Sequence, residues 1–311
     1  MRRPTFAWAC ALLALLAAGA GSAKGSCDRA CLQRVGETYL QALAAKDPKR
    51  LSLSAEARFT ENGSELKLGD GLWGTIERLG DYRLFVIDEA SSNIGIFQSI
   101  TEAGHHAFLG VRIKAPDGQI GQIETLVARS DPSQQFGEKP RLDLRAPLTA
   151  PLTAGARVSR SAMIAAADSY FVGLEEATDK GVAFGARCVR RENGMQTTSN
   201  PAFGNDMAKL DCKQQFATGF STFITGLRER RWIVDEETGV AMAFLFFDHN
   251  GTVKSVPLAD GTTMEVPYPF TRPYSFQLFE AFKIDSGKIQ EVEALLTTVP
   301  YGMRSGWSGK P

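Results

Sequence analysis

Apolar residues recur at helical spacing in two well-separated stretches of the chain. Leu32, Val35, Tyr39, Ala42 and Leu43 share one stripe, which predicts a helix over 31–45. Ile164, Ala167, Phe171 and Leu174 form a second stripe, over 162–176. After the first helix the period shortens towards two, predicting strands at 82–88, 93–100, 105–114 and 119–129. Asp117-Gly118 is a hairpin signal between the last two of these, and Ser286-Gly287 is its counterpart further on. Glu61-Asn62-Gly63 and Glu192-Asn193-Gly194 end a short strand in each half, because Asn-Gly accepts the positive φ of a tight turn. A short second helix is expected around Leu72-Trp73 and again at Phe220–Phe223. Helices followed by hairpin-linked strands predict an α+β chain, with a curved antiparallel sheet wrapped on N-terminal helices in each half.

The halves are copies. Tyr39-Leu40, Leu43 and Glu61-Asn62-Gly63 recur as Tyr170-Phe171, Leu174 and Glu192-Asn193-Gly194. Arg83 and Phe85-Val86-Ile87-Asp88-Glu89 recur as Arg230 and Trp232-Ile233-Val234-Asp235-Glu236. Gly118, Ile120 and Ile123-Glu124 match Gly287, Ile289 and Val292-Glu293. The spacing between partners grows from block to block, which locates insertions in the second copy near 195–212 and 248–272. The expected units are therefore 27–145 and 157–305. Between them, 146–156 contains the Pro/Ala run Ala146-Pro147-Leu148-Thr149-Ala150-Pro151, which reads as a semi-rigid linker.

Arg58-Phe59-Thr60-Glu61-Asn62-Gly63, Gly71-Leu72-Trp73-Gly74-Thr75 and the closing Gly-x-Ile hairpin carry a resemblance. They resemble the nuclear transport factor 2-like (SnoaL-like) superfamily, and within it a group of secreted bacterial and fungal proteins of unknown function. The resemblance covers 27–130 well and 157–300 mainly through the repeat. It implies a cone: a bent sheet closing over helices, with an apolar pocket at its open end. Ketosteroid isomerases, polyketide cyclases, dehydratases and epoxide hydrolases share that fold with proteins that only bind or dimerise, so it does not fix a reaction. None of their catalytic patterns matches here residue for residue.

The N-terminus changes the picture of where the protein works. Arg2 and Arg3 precede an apolar run from Phe6 to Ala20, and Gly21-Ser22-Ala23 suits signal-peptidase cleavage, so 1–23 reads as a signal peptide. The expected location is the periplasm or the medium, with no membrane association after cleavage. Lysine and arginine total 35 against 35 acids, and losing Arg2 and Arg3 leaves the mature chain slightly acidic. Without a basic stripe, nucleic acid is not an expected partner. Cys27, Cys31, Cys188 and Cys212 enter an oxidising compartment, where the local pairings Cys27–Cys31 and Cys188–Cys212 are favoured. Metal ligation is the alternative, disfavoured by three histidines that all lie away from these cysteines.

Candidate chemistry is sparse, and no phosphate loop, metal motif or nucleophile elbow is present, so no cofactor or metal is expected. His105 shares a strand face with Ala107, Leu109, Val111 and Ile113 and is the candidate base, with Tyr274 in its place in the second copy. Glu124 is the candidate acid and Arg58 the oxyanion holder. Tyr39, Phe59, Trp73 and Tyr274 are expected to line a pocket for a small apolar or aromatic ligand. Glu61 and Glu192, with Asp88 and Asp235, are retained in both copies and read first as structural. Two functions follow: a cofactor-free lyase or isomerase, or a non-catalytic module that binds a ligand or a partner. The two domains are expected to pack together, with further oligomerisation left open.

Overall fold

In the computed structural model, which describes residues 27–130 and 146–306, the first unit contains α1 (Arg29–Ala44), β1 (Leu53–Glu61), β2 (Ser64–Leu66), α2 (Leu72–Thr75), β3 (Ile76–Asp88), β4 (Asn93–Glu102), β5 (His105–Lys114) and β6 (Ile120–Ala128). A connecting α3 (Ala146–Thr149) leads to the second unit. That unit has α4 (Arg160–Glu175), β7 (Phe184–Glu192), β8 (Met195–Gln196), α5 (Asp206–Lys209), α6 (Cys212–Ala217), β9 (Gly226–Asp235) and β10 (Val240–His249). It is completed by β11 (Ser255–Pro257), β12 (Thr263–Glu265), β13 (Tyr274–Asp285) and β14 (Lys288–Val299). The predicted signal peptide lies outside the described residues.

Each unit is a six-stranded sheet with the same order, β2-β1-β6-β5-β4-β3 in the first and β8-β7-β14-β13-β10-β9 in the second. The sheets are not wholly antiparallel, because β1 runs parallel to β6 and β7 runs parallel to β14. The parallel pair follows from chain direction, since the first strand arrives from the helix and returns beside the last. Asp28 and Ser159 cap the two long helices, accepting from the N–H groups of Cys31 and Ala162. Register shifts in β3 and β9 bend both sheets around those helices.

The repeated Glu-Asn-Gly now has a cause. Asn62 and Asn193 take φ values of 48° and 46° and are each followed by a glycine with positive φ. Asn62 Oδ1 accepts from Val127 N at 2.8 Å while its Nδ2 donates to Val127 O. Asn193 bonds both backbone groups of Leu296 in the same way. One side chain turns the strand and ties the turn to the last strand.

The two sheets pack face to face. Tyr82, Leu84, Val86, Phe97, Phe108 and Leu126 of the first meet Ile233, Met242, Phe244, Phe279 and Leu295 of the second in one buried cluster. The Asp-Glu pairs retained in both copies close this interface reciprocally. Arg29 makes two 2.9 Å bonds to Asp235, which also accepts from Ile87 N. Arg160 meets Asp88 at 2.7 Å, and Asp88 accepts from Val234 N at 3.0 Å. Glu89 and Glu236 accept from the first helical N–H of their own units, at Arg29 and Arg160. The crossed contacts are reciprocal, as in an isologous interface between two copies.

The Pro/Ala segment is less free than a linker. Leu148 is buried in the inter-sheet cluster, and Leu152 N donates to Glu237 O. Among the described residues no helix is long and apolar enough to cross a membrane.

Asp88 and Asp235 are 1% and 0% exposed, so removing either carboxylate strands buried donors and an arginine from the other unit. Asp88→Ala and Asp235→Ala should each lower unfolding free energy by about 3 kcal/mol in urea titrations. A loss below about 0.5 kcal/mol, the range of ordinary surface substitutions, would show that the clamps do not hold the interface.

Candidate functional site

Among the described residues, the first cone is filled by its own side chains. Tyr39 and Trp73 are buried to 1% and meet edge to face with centroids 5.6 Å apart, and Phe59 packs in the same cluster. Its mouth is closed by charge. Arg129 bridges Glu61 at 2.9 Å and Glu102 at 2.6 Å, and Glu61 also accepts from Leu72 N. Tyr39, Phe59 and Trp73 therefore serve here as core.

The other candidates from the sequence stand on three different surfaces. His105 is exposed at the start of β5, beside His106, Glu102 and Arg129 in an open hollow of about 260 Å³. Its strand neighbours Ala107, Leu109, Val111 and Ile113 do face the core, but the ring sits above them at the rim. Glu124 is 1% exposed, yet it faces the other sheet, held by Arg112 at 3.1 Å and by Arg231 of the second unit at 3.1 Å. Arg58 lies on the outside of β1, paired with Glu65. The three are not brought together. Tyr274 packs in the core of the second unit, stacked on His249 at 4.7 Å, and is not part of the cavity wall.

The second cone is hollow, with a cavity of about 210 Å³. Leu174, Phe220, Phe247, Phe276, Leu278 and Leu296 supply most of its wall. The two excursions that distinguish the second copy build its mouth, through Phe203, Asn205 and Met207 from one and Met264, Pro267 and Phe270 from the other. A disulfide between Cys188 and Cys212 fastens the first excursion to β7, while Cys27–Cys31 fastens the start of α1. Both pairings are those the spacing favoured.

The floor is polar, and it was not anticipated from the sequence. Arg190, on β7, donates to Thr197 Oγ1 at 3.1 Å, to the Tyr170 hydroxyl at 3.2 Å and to Gln215 Oε1 at 2.6 Å. Gln215, on α6, in turn donates to the carbonyls of Thr197 and Met207, so the mouth segment buttresses the floor. Glu280, on β13, is 2% exposed, and its Oε2 has no hydrogen-bond partner. Burial and the nearby Glu192 charge push its carboxyl up to about 8, against the pull of Arg190 and the nearby Tyr170 hydroxyl. At the mouth His249 is 1% exposed, stacked between Tyr274 and Phe223, with Nδ1 unpartnered. Burial lowers its pKa to about 4, so the ring is neutral near pH 7.

Strand pairing explains why one cone is full and the other empty. Phe59 pairs with Ile123 where Arg190 pairs with Val292, and Val111 pairs with Thr125 where Glu280 pairs with Ala294. On its other side Val111 faces Ile96 and Glu280 faces Ala243. Two apolar residues of the first cone are thus an arginine and a glutamate in the second, and the small Ala243 and Ala294 beside Glu280 leave space. Aligning the copies by strand, and looking for apolar positions turned polar, is the signal that would have found the floor.

A family model described as a domain of unknown function, DUF8021, matches the chain twice, over 26–127 and 156–296. No curated protein matches it. Among solved structures the chain is similar to a de novo designed protein with a curved β-sheet, at 17% identity and a TM-score of 0.28, covering 32% of this chain and 87% of that one. It is also similar to an NTF-2 like protein of unknown function from Burkholderia xenovorans LB400, at 11% identity and a TM-score of 0.24, covering 34% of this chain and 90% of that one.

The two shifted groups give stability a defined pH dependence. Glu280 has a folded-state pKa raised above its unfolded value, so its contribution is whole below about 4.5 and is lost as pH rises to about 8. His249 is depressed, so its contribution is whole above about 6.5 and is lost as pH falls to about 4. Glu280→Gln should flatten the alkaline limb of a melting-temperature profile, and His249→Phe the acid limb. Profiles that keep both limbs in the variants would place the titrating groups elsewhere.

Proposed function

Taking as premise that the chain belongs to the DUF8021 family in both its halves, we propose that it is an exported small-molecule pocket protein. Its second cone takes an apolar or aromatic molecule and performs cofactor-free acid–base chemistry on it, as a lyase or isomerase. The N-terminal segment and the two disulfides support export. The observation that carries the catalytic reading is Glu280, a carboxyl buried on the floor of an apolar cavity with one oxygen unpartnered. A carboxyl in that setting exchanges its proton near neutral pH, as a general acid or base requires. The cavity somewhat exceeds the roughly 150 Å³ that encloses benzene, so a substituted single ring suits it.

A non-catalytic binding module is the second reading. It is favoured by the separation of His249 from Glu280, six positions apart in the β10–β13 pairing, or about 20 Å along the strands. His249 is then too far from Glu280 to act as its proton-transfer partner.

Screening small cyclic phenols, ketones and lactones for thermal shifts identifies a ligand, and turnover is then assayed directly. Glu280→Gln should retain the fold and lose turnover by a factor of about 10² to 10⁴. A ligand bound tightly and never converted, with affinity alone changed by the substitution, would establish the binding module instead.

A further inference from the structure

The hydrogen bonds on the floor of the second cone run in one direction. Arg190 has only hydrogens to give, and one goes to the Tyr170 oxygen at 3.2 Å. Arg190 also forms an ion pair with Glu192 at 3.7 Å, so Glu280 beside them is left without a countercharge of its own, and burial keeps it protonated. Tyr170 keeps its phenol proton because burial raises its pKa as well. Oε2 of Glu280 has no hydrogen-bond partner. The groups packed around Glu280 are Tyr170 on α4, Arg190 and Glu192 on β7, and the apolar Ala243 and Ala294 on the flanking strands. Of these only the Glu192 carboxylate and the Tyr170 oxygen could take a hydrogen from it, and Oε2 bonds to neither.

Resting on the reading of this cavity as a small-molecule site, we propose that its ligand is a neutral ring compound presenting an acceptor oxygen, a carbonyl or an ether, to the Glu280 carboxyl. The unpartnered oxygen belongs to a buried, protonated acid, so the group that meets it must accept. An alcohol gains nothing over a ketone of the same shape, and a hydrocarbon leaves the acid unanswered. A buried polar group left unpaired is what separates such analogues.

Acetophenone, 1-phenylethanol and ethylbenzene differ little in size and test this directly by calorimetry or competitive thermal shift. At pH 6 acetophenone should bind the wild-type protein about five- to tenfold more tightly than ethylbenzene. At pH 10, where Glu280 is ionised and can only accept, 1-phenylethanol should overtake acetophenone. Glu280→Leu should abolish the preference for oxygen while ethylbenzene still binds. Glu280→Gln, which keeps a donor at every pH, should hold the preference for acetophenone unchanged between pH 6 and pH 10. If Glu280→Leu does not fold by circular dichroism, that second variant still decides the matter. Equal binding of acetophenone and ethylbenzene at pH 6, or a pH-driven reversal that persists in Glu280→Gln, overturns the inference and leaves the pocket standing. If none of the three binds, the reading of the cavity as a small-molecule site fails, and this inference with it.

Discussion

Everything in this chain hangs on the burial of one sheet face against the other. Each unit alone would present Leu84, Val86, Phe97 and Phe108, or Met242, Phe244 and Phe279, to water as a broad apolar face. Such a face needs a partner. Packing the two together supplies one, and the reciprocal carboxylates Asp88 and Asp235 fix how they meet. Each reaches across to a backbone N–H and to the arginine that opens the other unit's helix. Apolar burial is non-directional; the crossed aspartates give it orientation and register.

Linking the two units in one chain releases them from symmetry. In a homodimer any residue placed in one cone appears in both, so a costly polar floor would be installed twice. Here Phe59 and Val111 keep the first cone packed, while their counterparts Arg190 and Glu280 open the second. The division shows in the retained Glu-Asn-Gly turns as well. Asn62 and Asn193 do the same work, but Glu61 is bound by Arg129 and Leu72 at a closed mouth, whereas Glu192 lines the cavity beside Arg190. A residue kept in both copies for one structural purpose is thus available in one of them for another.

The fold was legible because it is written in short-range patterns. Helical stripes, the Asn-Gly and Asp-Gly turns and the alternation of β5 fix elements within a few residues, and the repeat fixes their order. The parallel pairing of β1 with β6 was not legible, since it joins segments far apart and leaves no local mark. The site was legible only in outline. His105 sits on the strand face expected of it, but burial stops one residue short of it. Glu124 is buried as an interior acid would be, yet its strand face turns to the other sheet. The sequence alternation of β6 could not distinguish the two faces, because in a tandem of sheets both are apolar. Glu280 escaped notice for the same reason, lying in a strand almost wholly buried on both sides.

That double burial also explains how the second cone can carry so many unsatisfied polar groups. A carboxyl with an unpartnered oxygen, a neutral histidine with a free Nδ1 and a tyrosine hydroxyl without a partner all lie in one lobe, at Glu280, His249 and Tyr274. Each unsatisfied group costs roughly 1–3 kcal/mol. The cone tolerates them because β10 and β13 are held from behind by the inter-sheet cluster, and α6 is held by the Cys188–Cys212 bond. The expected consequence is a site prepared in advance rather than assembled on binding. Arg190 is fixed by Thr197, Tyr170 and Gln215, and Gln215 by the mouth segment itself, so the floor is held in place by the protein's own hydrogen bonds. On the proposed reading, an occupant that supplied the missing hydrogen bonds would recover that stability, and affinity would rest on the same few residues that make the empty cone costly.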